Sequence, residues 1–379
     1  MSEPYRLYGA HLSYYTGKVR AFLLNKRLAF DEVLSTEEVY REIILPKTGV
    51  NFIPVLGHPD GRVIQDTSDI IDELDGASPF NPAYPPTPRQ RLAAILAEIV
   101  ADEWFVLPAM HYRWTKNRDF AALGFGAASR PNAGLAEQRE IGEKLCARFA
   151  GSLPFLGVSP ETAPGIEAEY EAFLDLFGEH LKTHRYLLGD RPTLGDYGLM
   201  GPLYAHQFRD PRSGEIMHLR SPRVVAWIER MNMPPATYGD LAPGDEVPPL
   251  AVALLKRQWA DFWPVLRGTL DATEAWIEAN PGAAPPRAIG KQAFTVGGCA
   301  GERLIFPYSQ WMWQRAADAY AALAAPDRAA AAPFIEAVGL ADAFARPIRR
   351  RGDATTCTPR ADPPDVPPPR PGRGPSDRS

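Results

Sequence analysis

Two short segments carry the residues best suited to chemistry. Residues 52–56 form an apolar run with a proline near its start, and residues 65–71 read as a polar helix start. The free amides and positive dipole end of a helix N-terminus favour a carboxylate. Asp66 can take a cationic amine beside it, with Thr67 expected near the N-cap. Together they suit an amino-acid head group such as a γ-glutamyl moiety, the alternative being an ordinary hairpin turning at Asp60-Gly61 and then a capped helix.

The elements that must position these residues follow from the hydrophobic pattern. Residues 5–8 are β-prone, residues 14–28 repeat apolar side chains at helical spacing, and residues 30–33 alternate like a second strand. A helical link follows over residues 37–45. The predicted order is therefore β-α-β, a link, and then β-β-α. The proline that opens the third strand cannot donate a ladder hydrogen bond, and it can adopt the cis form.

In this order the chain resembles the glutathione S-transferase superfamily, and in particular bacterial members with a serine-type active-site turn. The motifs that carry the resemblance are residues 13–20 (the active-site turn), Ile53-Pro54 (the cis-proline strand), Asp66-Thr67 (the γ-glutamyl-binding pair) and residues 188–197, with Thr193 and Asp196 as the capping box of the second domain. Spacing alone suits this box, because a threonine N-cap and an acidic residue three positions later satisfy each other's amides.

The resemblance implies an α/β thioredoxin-like N-terminal domain plus an all-α glutathione-transferase C-terminal domain. We expect these domains at residues 1–80 and 87–232. The ordinary plan of the family then ends, and residues 233–348 are expected to form an additional, mostly helical extension of unknown role. Residues 349–379 are rich in proline and arginine and cannot bury enough apolar area to offset chain entropy, so a disordered tail is predicted there.

The extension has its own pattern. Residues 250–280 repeat apolar side chains at helical spacing, with an interruption expected at Pro264. Residues 287–298 are rich in glycine but lack the spacing of a nucleotide-binding loop. Residues 302–315 are dense in aromatic side chains and contain two arginines. They are expected to form an extra helical layer, or else a cover over the site with Tyr308, Trp311 or Arg315 facing a ligand.

The chemistry implied by the resemblance is that of a glutathione transferase, which activates the thiol of glutathione for detoxification of electrophiles. The thiolate is the nucleophile, and lowering its pKa by about two units takes about 2.7 kcal/mol. A hydroxyl hydrogen bond and a helix N-terminus supply energy of that order. Ser13 is the first candidate for the hydroxyl, and Tyr14 or Tyr15 is the alternative, because Tyr14 stands where the family commonly has a proline.

Further contacts are predicted around this centre. The backbone of Ile53, held by Pro54, is expected to pair with the peptide like an added strand. Lys47 can reach the glycyl carboxylate or remain a solvated loop residue. A long helix is predicted over residues 89–111, and aromatic and polar side chains near its inward end either line a pocket for a small hydrophobic electrophile or pack in the core. These are Trp104, His111 and Tyr112.

Composition excludes several classes. The chain has 379 residues and a net charge of −5, which argues against bulk nucleic-acid binding. We expect a cytoplasmic protein, because no apolar run could span a membrane and the start does not resemble a signal peptide. Cys146, Cys299 and Cys357 are scattered, so neither dithiol chemistry nor a metal site is expected. Members of the family are commonly homodimers. The alternative function is a non-catalytic scaffold or ligand-binding protein of the same fold.

Overall fold

A four-stranded mixed sheet forms the N-terminal part of the computed structural model, which describes residues 3–349 and 351. The strand order is β2-β1-β3-β4, in which β1 and β2 are parallel and the other pairs are antiparallel. The strands are β1 (Tyr5–Gly9), β2 (Phe30–Leu34), β3 (Val55–Gly57) and β4 (Val63–Gln65). The hairpin between β3 and β4 turns at Gly61, whose φ of +89° suits glycine. The predicted order of elements is confirmed.

Helices flank this sheet. They are α1 (Tyr14–Lys26), α2 (Glu37–Val39), α3 (Leu45–Thr48) and α4 (Thr67–Ala77), and a π-helical segment (Tyr40–Ile44) joins α2 to α3. Helix α1 ends where Arg27 takes a left-handed conformation and its N–H bonds back to the carbonyls of Leu23 and Leu24. The buried face of α1 contributes Val19, Phe22 and Leu23 to the core.

The second part is helical. It contains α5 (Pro88–Ile99), α6 (Val106–His111), α7 (Arg118–Ser129), α8 (Leu135–Ala150), α9 (Leu153–Leu156), α10 (Ala163–His180), α11 (Leu194–Met200), α12 (Pro211–Arg220) and α13 (Pro222–Asn232). The helix predicted over residues 89–111 is realised as α5, a π-helical segment (Val100–Trp104) and α6, and another π-helical segment (Tyr112–Lys116) follows it. The apolar stripe was correctly predicted, whereas the π-helical turns leave no mark in that pattern.

The extension contains more than helices. Its helices are α14 (Pro249–Ala279), α15 (Tyr308–Ala321), α16 (Ala325–Ala337) and α17 (Ala341–Ala345), and a hairpin of β5 (Lys291–Val296) and β6 (Cys299–Leu304) lies between α14 and α15. Helix α14 continues through Pro264, where an interruption was expected. Buried side chains on both sides of the proline, such as Phe262 and Leu266, hold the helix against the core.

The three parts share one hydrophobic core. Residues from each, such as Phe22, Trp227 and Trp313, belong to a single buried cluster. The linker after α13 is also docked, because Asp245 accepts hydrogen bonds from the backbone N–H groups of Arg89 (2.9 Å) and Gln90 (3.0 Å) and so caps α5.

The predicted tail, including Cys357, lies almost entirely outside the described residues. Within the described part, none of the helices combines the length and apolarity that crossing a membrane requires.

Candidate functional site

The register of the sheet gathers the predicted site residues at one edge. Tyr8 pairs with Val55, and Val55 pairs with Gln65, so the end of β1, the start of β3 and the end of β4 lie side by side. Ser13 follows β1, the Ile53-Pro54 pair precedes β3, and Asp66 follows β4. The Ile53–Pro54 peptide bond is cis. Segments more than fifty positions apart in the sequence therefore meet at this edge, together with the N-termini of α1 and α4.

Ser13 is the N-cap of α1. Its Oγ accepts a hydrogen bond from the backbone N–H of Thr16 at 3.3 Å, and the side chain is half-buried. A hydroxyl both accepts and donates, so this contact leaves the Ser13 proton available for an anion at the helix start. The dipole of the 13-residue helix α1 adds to the attraction for negative charge.

The two tyrosines that follow use their phenol protons elsewhere. The Tyr14 hydroxyl donates to the carbonyl of Ala101, and the Tyr15 hydroxyl donates to the carbonyl of Asp102 at 3.1 Å. Burial, followed by nearby carboxylates, raises the pKa of Tyr15 well above its ordinary value; burial does the same for Tyr14. Both rings thus fasten the turn to the helical domain, and of the three hydroxyls that of Ser13 retains a proton to donate.

Asp66, rather than Thr67, is the N-cap of α4. Its Oδ1 accepts from the backbone N–H of Ser68 at 2.8 Å, and Thr67 is the first helical residue. Sequence reasoning placed Thr67 near the cap because both residue types favour that position. The backbone of Asp66 has a φ of 100°, a conformation that costs a non-glycine residue about 1–3 kcal/mol and recurs at functional sites.

The extension reaches the same edge through α15. The Tyr308 hydroxyl donates to Oδ2 of Asp66 at 2.6 Å, and the Ser309 hydroxyl donates to the Glu103 carboxylate. About two helical turns further on, Arg315 forms an ion pair with Asp72 at 2.7 Å. The first turn of α15 is therefore fastened to the residue predicted to take the amine of glutathione.

A buried charge network lies behind this edge and was missed by sequence reasoning. The Lys18 ammonium contacts Glu98 at 2.7 Å and Asp102 at 2.5 Å, and the Ser68 hydroxyl donates to Glu98 at 2.9 Å. Burial opposes the charge on Lys18, yet the two carboxylates hold its pKa above the ordinary value. Burial raises the pKa of Asp102 to about 7 against the effect of Lys18. The sequence signals this network by a lysine within the apolar pattern of α1. It does not show which distant residues pair with that lysine.

The residues predicted for the second substrate are buried in the helical domain. Trp104 stacks on Phe262 at a centroid distance of 5.3 Å and lines a cavity of about 10 Å³, room for about one water. About two helical turns further along, the Nε2 atom of His111 lies 2.7 Å from the Glu167 carboxylate, and Tyr112 packs against Tyr170. Burial lowers the pKa of His111 despite Glu167. Of these three residues, only Trp104 is adjacent in sequence to a residue that bonds to the first turn of α15. That residue is Glu103, which accepts a hydrogen bond from Ser309.

Lys47 is not brought to the sheet edge. Its ammonium donates to the carbonyl of Gly61 at 3.3 Å, in the turn at the far end of the β3–β4 hairpin from Pro54 and Asp66. A different cation lies close to the strand start, because the Arg287 guanidinium of the extension stacks on the Phe52 ring at 5.7 Å. Within residues 3–349 and 351, no group of three or more His, Cys, Asp or Glu side chains is arranged to hold a metal ion.

Comparison with known families agrees with this arrangement. The family model of the glutathione S-transferase N-terminal domain matches residues 7–83, and that of the glutathione S-transferase C-terminal domain matches residues 137–230. The chain belongs to the glutathione S-transferase superfamily. The predicted fold class, a thioredoxin-like domain, a helical transferase domain and an added extension, is confirmed. Thr193 and Asp196 form the capping box of α11, in which the Thr193 N–H donates to the Asp196 carboxylate at 2.9 Å.

Solved structures of glutathione S-transferases resemble the chain over about two thirds of its length. The enzyme from Rhodospirillum rubrum F11 is 20% identical, with 66% of this chain and 99% of that chain covered and a TM-score of 0.41. The one from Methylobacterium radiotolerans JCM 2831, in complex with glutathione sulfonate, is 23% identical over 63% and 98%, with a TM-score of 0.38. The β-etherase LigF from Sphingobium sp. strain SYK-6 is 21% identical over 62% and 97%, with a TM-score of 0.46. No curated protein matches the chain significantly.

Proposed function

We propose that this glutathione S-transferase superfamily member binds glutathione at the sheet edge and activates its thiol for attack on a small electrophile. The observation that carries the proposal is the meeting of two helix N-termini at that edge, one capped by Ser13 and the other by Asp66. Glutathione offers a thiol and an amino-acid head group, and each matches one of these helix starts.

Each residue has a defined role in this proposal. The γ-glutamyl carboxylate binds the free amides at the start of α4, beginning with Thr67, and the ammonium group binds the Asp66 carboxylate. The cysteinyl backbone pairs with the main chain of Ile53 in the manner of an added strand. The thiol then lies near Ser13, whose hydroxyl donates to the developing thiolate. The thiol proton passes to solvent, sulfur attacks the electrophilic carbon, and the leaving group departs with its bonding electrons.

A second candidate function is supported by one observation. The Tyr308 hydroxyl occupies an oxygen of Asp66, so the extension contacts the position proposed for the ammonium group. A non-catalytic scaffold or ligand-binding protein that retains the fold could keep this contact permanently. The two functions differ in whether glutathione displaces Tyr308.

Calorimetric titration of glutathione into the wild type and Ser13→Ala, with thiolate absorbance followed against pH, tests the proposal. We expect binding by both proteins, a lowered thiol pKa in the wild-type complex and a pKa about one to two units higher in Ser13→Ala. Ser13→Thr keeps a hydroxyl and is expected to restore most of the shift.

Thr87→Ala is the matched control. Thr87 is the N-cap of α5, and its hydroxyl donates to the Gln90 side chain at 3.1 Å, about 18 Å from the end of the helix that faces the site. This variant is expected to leave the thiol pKa unchanged. Absence of glutathione binding by the wild type would favour the scaffold, whereas binding without any effect of Ser13 on the thiol pKa would contradict the role of Ser13.

A further inference from the structure

Arg303, in strand β6 of the extension, is a buried cation with donor atoms that have no partner. Its side chain is 5% exposed, and its Nε and Nη1 atoms have no hydrogen-bond partner. In the part of the chain that the structure describes, no carboxylate lies within ion-pair distance of the guanidinium. Burying a charged group without hydrogen bonds is among the costliest arrangements in a protein. Such a group indicates a ligand that supplies the missing acceptors.

Two aromatic rings lie beside the Arg303 guanidinium. The guanidinium lies 5.9 Å from the centre of the Trp104 ring and 5.8 Å from that of Phe294. Aromatic contacts of this kind stabilise the cation but accept none of its N–H groups in the usual geometry. Burial lowers the pKa of Arg303 to about 10, with Glu103 opposing that effect, so the side chain remains charged at neutral pH.

This cation is part of the same cluster as the proposed site. Glu103, the charge that acts on Arg303, accepts from Ser309, the neighbour of Tyr308. Its carboxylate also raises the pKa of Tyr15 in the active-site turn. Trp104, whose ring lies beside the Arg303 guanidinium, is one of the three residues predicted to line the electrophile pocket. Arg303 therefore shares the Glu103 carboxylate with the active-site turn and lies beside a residue predicted for the second substrate.

We propose that the electrophilic substrate carries a carboxylate group and that Arg303 binds it; this inference rests on the proposed function. A planar guanidinium donates two parallel hydrogen bonds to a carboxylate through Nε and Nη2, and Nε is one of the two Arg303 nitrogens without a partner. The aromatic body of such a substrate would lie against Trp104. The glycyl carboxylate of glutathione has a cation of its own, because Arg287 stacks on Phe52 beside the peptide-binding strand. The first turn of α15 must shift to admit the substrate, since Ser309 is bonded to Glu103.

Calorimetric binding of product analogues tests the proposal without assuming a leaving group. The probes are the meta and para isomers of S-(carboxybenzyl)glutathione, the corresponding S-(carbamoylbenzyl)glutathiones, and S-methylglutathione as the reference that lacks the aryl group. The wild type is expected to bind at least one acid about 10-fold or more tightly than its amide, because a charge-assisted pair replaces a neutral contact.

Arg303→Met keeps most of the apolar stem and removes the charge. In this variant the ratio of acid to amide affinity is expected to fall to about one, with S-methylglutathione affinity retained. Arg303→Lys keeps the charge but lacks the two parallel N–H donors of a guanidinium, so it is expected to retain part of the preference for acids over amides. It also provides the test if Arg303→Met does not fold. Arg328→Met is the matched control, since Arg328 stacks on Tyr320 at 5.6 Å on α16 and should leave the ratio unchanged.

Each alternative result overturns the inference. Equal affinity of wild type for acids and amides would exclude a carboxylate site, and a preference that survives in Arg303→Met would assign it to another residue. Weaker binding of S-methylglutathione to Arg303→Met, by the same factor as the acids, would assign the bound carboxylate to glutathione itself. If S-methylglutathione and glutathione both fail to bind the wild type, the proposed function fails as well, and this separates the two failures.

Discussion

Replacing Tyr308 with phenylalanine tests whether glutathione displaces the extension from Asp66 when it binds. The Tyr308 hydroxyl donates to Asp66 at 2.6 Å, and the other oxygen of Asp66 is held by the Ser68 N–H. The ammonium group of glutathione would bind the oxygen that Tyr308 now occupies. Removing the phenol hydroxyl therefore removes a competitor and leaves the aromatic ring in place.

The magnitude follows from this hydrogen bond. A bond to a charged group contributes about 1.5–3 kcal/mol, and each 1.4 kcal/mol is about tenfold in affinity. If glutathione displaces the hydroxyl, its affinity for Tyr308→Phe is expected to rise about 10-fold. The same substitution removes an interdomain contact, so the free energy of unfolding is expected to fall by about 1–3 kcal/mol. Affinity and stability thus change in opposite directions.

Calorimetry with glutathione and urea unfolding give the two quantities. Tyr320→Phe is the control, because Tyr320 lies at the other end of α15, about 18 Å along the helix, and packs on Phe344. It is expected to leave glutathione affinity unchanged. A fall in affinity in Tyr308→Phe would show that the hydroxyl contacts the ligand instead, and unchanged affinity would show that glutathione binds without displacing it; either result refutes the reasoning.

Three further predictions concern stability. Arg113 is buried and forms an ion pair with Asp210 at 2.8 Å, so Arg113→Met is expected to lower the free energy of unfolding by about 3–5 kcal/mol in urea titrations, and a loss under 1 kcal/mol would contradict this. Asp245→Ala removes the acceptor at the start of α5 and should cost about 1–2 kcal/mol by the same assay, with no cost expected if the cap is dispensable. Burial raises the pKa of Asp196 to about 6 from an ordinary 3.8, so the folded state binds this proton more tightly. Wild-type stability should consequently fall relative to Asp196→Asn as pH rises from about 4 to about 6, by at most about 3 kcal/mol, then level off; a difference that is flat or rises with pH would refute this.

Much of the fold depends on short-range patterns and was predictable. Alternation and helical spacing indicated the strands and helices of the first domain, and a three-residue spacing indicated the Thr193 and Asp196 box. The β5–β6 hairpin was missed, although the sequence contains a signal for it. Gly297 and Gly298, with φ values of 55° and 79°, are residues of the type that a two-residue turn requires. The π-helical turns leave no comparable mark in the apolar pattern.

The features of the site also divide into those that the sequence predicted and those that depend on tertiary packing. The sequence by itself indicated the segments at which α1 and α4 begin, since caps and turns are local in the chain, and its motifs indicated the glutathione S-transferase superfamily. The tertiary structure alone decided that Tyr308 contacts Asp66 across 242 positions, that Lys18 meets Glu98 across 80, and that Arg303 stacks on Trp104. These pairs depend on how whole elements pack against one core, and side-chain type and spacing along the chain carry no record of which distant surfaces meet.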